Sequence, residues 1–266
     1  AHKLPPSVSA DAQTSGRGNN LSRCGSMYAG MWPAIAQVYR WLLIRSGGTS
    51  VARHPWLRSP KTNGRDVAVM VSGNAMAHLY VDLEQRTRAW WPALAPAWNT
   101  FAAQILERAS VDLLLLPADS RNCEVRSADR GTAHVSTENG RFSYRPLTGD
   151  PLGIGPQSDL TADEAYDATI KSDHPDSIVQ IAHLAGSARC GDLILSAARD
   201  WDFRAKWEPI PHVSSHGALH REHMLVPLLL SRPTVRVPRR TTDIMPSVLR
   251  ALGRSIPPRL DGTTFL

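Results

Sequence analysis

The chain reads as an α/β protein, with a mostly parallel sheet and helices on both faces. Three observations predict this. Short apolar runs recur at DVAVMVS, VDLLLLP and GDLILSAA, each bounded by Gly, Pro or polar residues, as buried strands are. Longer stretches between them space their apolar residues three and four apart, as helices do. Strands that alternate with helices favour crossover connections, and crossovers bring strands together in parallel.

Residues 1–26 are rich in Ser, Gly, Asn and Pro and read as a loose tail. MWPAIAQVYRWLLIR, 31–45, is apolar enough for a helix, and 47–64 is loop by its Gly and Pro content. The expected organisation is therefore a loosely ordered N-terminal segment with one helix, 1–65, followed by a folded part, 66–266. The folded part opens with a strand over 66–74 that stops at Ser72-Gly73-Asn74, and AMAHLYVDL continues as a second strand. A helix follows over 90–110, with Leu94, Phe101, Ile105 and Leu106 on its apolar face. VDLLLL, 111–116, is a buried strand closed by Pro117. Short β-like pieces fill 121–144, one turn falling at Asn139-Gly140, and 145–155 is an irregular loop. Thr161 caps a helix whose first turn is acidic. A second helix covers 177–188, a third buried strand 191–198, and HMLVPLLLS, 223–231, a fourth. The last helix, 241–253, begins at Thr-Thr-Asp, has Pro246 in its first turn and stops at Gly253. Asp243 is expected to start that helix and stabilise its N-terminus.

Composition excludes several classes. No run of 18 apolar residues occurs among the 266, so no membrane span is expected. The first residues, AHKLPPSVSADAQ, hold no apolar core of a signal peptide. The net charge of +6 suits anionic partners. It is dispersed, however, with no basic stripe interleaved with aromatics, so nucleic acid is not an expected partner. Cys24, Cys123 and Cys190 are odd in number and far apart, neither a disulfide framework nor a CxxC metal site.

Four of the ten histidines crowd into PHVSSHGALHREHM: His212, His216, His220 and His223. On one helix the first three would share a face. The prolines before the segment, the serines and Gly217 within it and Pro227 after it break such a helix. HREH also places its Glu wrongly for a HExxH zinc site. A loop delivering one imidazole fits better. Loops beyond strand carboxyl ends carry function in α/β sheets, and Gly217 allows a sharp turn after His216. Zinc takes neutral imidazole readily, but wants three or four ligands.

SSHGALHREHMLVPLLLS, then RTTDIMPSVLRALG, then PPRLDGTTFL resembles the C-terminal end of the alkaline phosphatase superfamily, in its type I phosphodiesterase/nucleotide pyrophosphatase branch. The likeness extends back through GDLILSAARDWDF to SGNAMAHLYVD, so that it covers 66–266. It implies a metal-dependent hydrolase of phosphodiester or pyrophosphate-type esters, acting on a small anionic ester. It also implies an alkaline phosphatase-like fold, here incomplete, with zinc in a two-metal site. His216 stands where the family's late His-Gly supplies a metal ligand. His220 and His223 fall in supporting positions behind or beside that ligand, and His212 reads as solvated.

The family's other parts are an early Asp-bearing strand, a Thr or Ser nucleophile and a mid-chain Asp-His-Gly. Ser172-Asp173-His174-Pro175 echoes the last, but Pro replaces the Gly, and it reads as structural. The first 65 residues show no buried strand ending in Asp. Thr14, Ser15, Thr49 and Ser50 sit in loose or Gly-rich stretches, and none is assigned as nucleophile. The expectation is a hydrolase lineage in a chain that lacks the nucleophile and most of the metal ligands, with an active hydrolase and an inactive fragment both left open. The alternative is a non-catalytic remnant that binds a partner where the missing half would pack, with Trp90-Trp91 contributing.

Overall fold

The computed structural model describes residues 67–81, 89–203 and 214–266. The expected tail, helix and loop of the first 65 residues, and His212, lie outside them. The described chain forms two units, one ending at Leu225 and one spanning Val226–Leu266.

The first unit is built on one eight-stranded sheet. Its strands are β1 (Val67–Ser72), β2 (Met76–Val81), β3 (Val111–Pro117), β4 (Asn122–Ser127), β5 (Gly131–Glu138), β6 (Arg141–Gly149), β7 (Gln157–Leu160) and β8 (Leu193–Ala197). They lie in the order β1-β2-β8-β3-β4-β5-β6-β7. Every neighbouring pair is antiparallel. The expected mostly parallel sheet with helices on both faces is therefore wrong, and connection length explains why. From β3 to β7 the links are too short for a crossover, and short links fold strands back antiparallel. The Asn139-Gly140 turn between β5 and β6 is a two-residue hairpin with both residues at positive φ (50° and 74°), the geometry such loops require.

The alternation of strand and helix misled at one point in particular. Helix α1 (Trp91–Leu106) does connect β2 to β3, and the two run in the same direction. But β8 lies between them and pairs antiparallel with both. Periodicity along the chain cannot reveal a strand inserted from 80 residues downstream.

Helix cover is uneven. Helix α1 sets Leu94, Ala102 and Ile105 against Leu114, Leu116, Leu193 and Leu195. Helices α2 (Ala162–Thr169) and α3 (Ser177–Gly186) bring Ala165, Ile178 and Ile181 to the other core, with Leu113, Leu115, Val125, Val135 and Tyr144. In β4–β6 the residues alternating with that core, Glu124, Arg126, His134 and Arg145 among them, are not buried. One face of that half carries a polar surface rather than a helix. Helix α2 starts where its cap signal placed it: Thr161 Oγ1 accepts from the Glu164 amide, and the Glu164 carboxylate accepts from the Thr161 amide at 2.7 Å.

After a short helix α4 (Arg221–Met224), the expected fourth strand is absent. Leu225, Val226, Leu228, Leu229 and Leu230 are exposed instead, Leu229 by 93%. In the second unit a 3-10 turn (Thr241–Asp243) leads into helix α5 (Ile244–Ala251). Asp243 precedes that helix as expected, but its buried carboxylate does not cap it. It accepts from the amides of Arg239 and Arg240 at 3.1 and 3.3 Å and of Thr263 at 2.7 Å, and pairs with Arg236 at 3.0 Å. The carboxylate is a latch holding the segments before and after α5. Burial pushes its pKa up, but those amides and Arg236 outweigh it and leave it below the usual carboxylate value.

Candidate functional site

His216 is placed by backbone, not by side-chain contacts. The β1–β2 hairpin turns at Gly73 and Asn74, both at positive φ (63° and 68°). The His216 amide donates to the Gly73 carbonyl at 2.8 Å, and its own carbonyl accepts from the Ala75 amide at 3.1 Å. Asn74 and His216 thus form a short parallel bridge. The Ala75 carbonyl accepts from Ala197 at the end of β8 at 2.9 Å. His216 therefore sits beside the carboxyl end of β8, and its residue is exposed. Gly73 is required by close approach as well as by φ: a Cβ there would run into the His216 ring, and into its carbonyl oxygen at 2.5 Å.

The chain then folds inward. Gly217 takes φ 105°, Ala218 and Leu219 are buried, and the Leu219 amide donates to Ser196 Oγ at 2.9 Å. His220 is buried as the N-cap of α4, and its Nδ1 lies 2.9 Å from Glu222 Oε2. A carboxylate only accepts, so Nδ1 donates to it, which leaves Nε2 as the second polar atom of the ring. That Nε2 is buried with no hydrogen-bond partner among the described residues. The Glu222 carboxylate also pairs with Arg199 at 3.0 Å. The His223 ring lies 4.1 Å from that of His220, and its Nδ1 accepts from the Ala218 amide at 3.3 Å. Burial, reinforced by the neighbouring His220 and His216, depresses the His223 pKa to about 4, so the ring is neutral at neutral pH.

The Asp173-His174 echo is structural in its contacts, as expected. His174 is buried, with Nε2 at 2.9 Å from Asp112 Oδ2 and Nδ1 at 3.4 Å from the Leu152 carbonyl. Asp112 also takes Arg130 at 2.6 Å. Burial raises the Asp112 pKa, but His174 and Arg130 more than offset this and hold it below the usual value. The neighbouring turn anchors the histidine segment: the Arg221 amide donates to the Asp173 carbonyl at 2.8 Å, and its guanidinium to Ile170 and Ser172 carbonyls.

Among the described residues no group of three or more His, Cys, Asp or Glu side chains is placed to hold a metal ion. Ala75, Ala197 and Ala218 line the strand ends under His216, packed by Trp201 and Phe203. These residues do not fit a two-zinc cage. The Gly73 cradle and the His220–Glu222 pair were not legible in the sequence, although the Ser72-Gly73-Asn74 turn signal marked where the cradle forms.

Comparison with known proteins finds no matching family model, no matching curated protein and no matching solved structure. No helix among the described residues is long and apolar enough to cross a membrane.

Proposed function

We propose that the chain supplies a histidine-bearing wall of a metal-dependent hydrolase site for phosphodiester or pyrophosphate-type esters, with His216 as its zinc ligand. The supporting observation is the exposed His216 imidazole, fixed by both backbone hydrogen bonds beside the end of β8. A bound zinc ion would polarise a phosphoryl oxygen; the described residues hold the ligand in place and contribute no nucleophile. Turnover on this reading needs ligands in addition to His216, since zinc takes three or four. Hydrolysis of bis(4-nitrophenyl) phosphate is the test. EDTA and His216→Ala should each abolish it, and zinc should restore it after EDTA. Turnover that persists in EDTA, or none at all with zinc, overturns the reading.

A second reading has its own observation. Residues 226–230 are apolar and exposed, and their backbone makes no hydrogen bond among the described residues. Such a surface suits a non-catalytic partner-binding domain. Metal-independent association by light scattering, lost in Leu229→Ser, with no hydrolysis, would favour it.

A further inference from the structure

We propose that the C-terminal unit docks on an anionic lipid surface, through the apolar face of α5 and the arginines around it. The inference does not depend on the hydrolase reading, which leaves this unit unused.

A surface helix normally turns its apolar stripe inward, and α5 does the reverse. Its buried residues are Pro246 and Ser247. Ser247 Oγ donates to the Asp243 carbonyl at 2.6 Å and accepts from the Phe265 amide at 2.9 Å, so the inward side is fixed by polar contacts. Ile244, Met245, Val248 and Leu252 are exposed by 39, 53, 43 and 68%. Together with the exposed Ala251 they fall on one face by helical spacing, with no polar residue among them. Such a face calls for an apolar phase or partner.

Charge decides which. Residues 226–266 hold seven arginines, no lysine and two acids, a net +5 of the chain's +6. One of those acids, Asp243, is buried and paired with Arg236. Arg250 stands in the last turn of α5 and Arg254 follows Gly253, both exposed. A second copy meeting the first through this face would set like charge against like. An anionic lipid surface supplies both complements: phosphates, which guanidinium groups take bidentately, and an acyl boundary for the apolar side chains. Arginine stems are long enough to hold the charge at the headgroups while the helix lies lower. Eight residues of helix are about 12 Å long against a hydrocarbon core of about 30 Å, so α5 lies in the surface and does not cross it. Leu229, Val235 and Val237 of the same unit are also exposed, outside any helix or strand. A fluid boundary takes up such scattered apolar side chains, whereas a protein groove would need a matching shape for each.

The test is cosedimentation of the full chain with vesicles of equal parts phosphatidylserine and phosphatidylcholine, and with phosphatidylcholine alone. The anionic vesicles should bind it more tightly by about 10-fold or more, and added salt should weaken that binding. Val248→Ser with Leu252→Ser should weaken it about 10-fold, and Arg250→Gln with Arg254→Gln about 30-fold. Arg145→Gln, at an exposed position of β6, should bind like the unaltered chain. Exchange protection at the Phe265 amide checks that each variant keeps the unit folded. Equal binding to both vesicles, or undiminished binding in the serine variant, overturns the proposal. So does an equal loss in the Arg145 variant, which would show diffuse charge attraction only. If the chain pellets without lipid and the serine variant does not, a second copy covers the face and the proposal falls. If no vesicle binds the chain, the face serves a protein partner and the proposal falls as well.

Discussion

Replacing Gly73 by Ala tests the geometry on which the candidate site depends. Two costs are expected. A non-glycine residue at φ 63° pays about 1 kcal/mol for the left-handed conformation. The new methyl also collides with the His216 ring and carbonyl, so the histidine segment must move away. That loses the His216 amide bond to Gly73 and the Ala75 amide bond to His216, each worth about 1 kcal/mol. The total is about 3 kcal/mol, or roughly 6–12 °C in Tm for a unit of this size. Gly140→Ala is the control. Its φ of 74° is equally unfavourable, but nothing lies within 4 Å of the added Cβ, so it should cost only about 1 kcal/mol. The assay is urea unfolding of both variants, with hydrogen exchange at the Ala75 amide. The close approach of His216 predicts a gap of about 2 kcal/mol and faster exchange at Ala75 in the Gly73 variant alone. Equal losses in the two variants would show that His216 does not rest on the hairpin.

Two further substitutions follow from the buried carboxylates. Asp112 has a folded pKa below its unfolded one, so its contribution is present above about pH 4 and is lost as pH falls through the folded value. Asp112→Asn should cost roughly 3 kcal/mol near neutral pH by stranding Arg130 and His174. It should also flatten the acid limb of the stability–pH curve, and an unchanged limb would refute the pairing. Asp243→Asn should release the latch of the C-terminal unit, with faster hydrogen exchange at the Thr263 and Phe265 amides while the Leu195 amide in β8 is unaffected. Full protection at Thr263 would contradict the latch.

Local signals in the sequence were sound where local forces decide. The Thr161 cap, the Asn139-Gly140 turn and the apolar runs that became β3 and β8 each rest on a few adjacent residues. The sheet's direction was not legible in the same way, because it depends on which strand lies beside which. Nothing near residue 79 or 114 announces that 193–197 pairs with both. HMLVPLLLS illustrates a second limit: an apolar run shows that a strand could be buried, and a run without a neighbouring edge remains exposed. For the site, Gly217 and the proline breaks placed His216 on a loop correctly. The carboxylate beside His220 was visible only as Glu two positions on, a spacing that gains meaning once a helical turn closes.

The position of β8 also sets the order of assembly. It is the last strand of the sheet in the chain and the third from one edge in space. Until residues 193–197 emerge, the β1–β2 hairpin and the β3–β7 meander have no common neighbour and cannot share a sheet. The meander is local and can form early, whereas joining the two halves closes a loop of more than a hundred residues and is the slow step. A chain cut anywhere before Leu193 would leave two open edges at what should be the middle of the protein, the arrangement most prone to pairing with the wrong molecule.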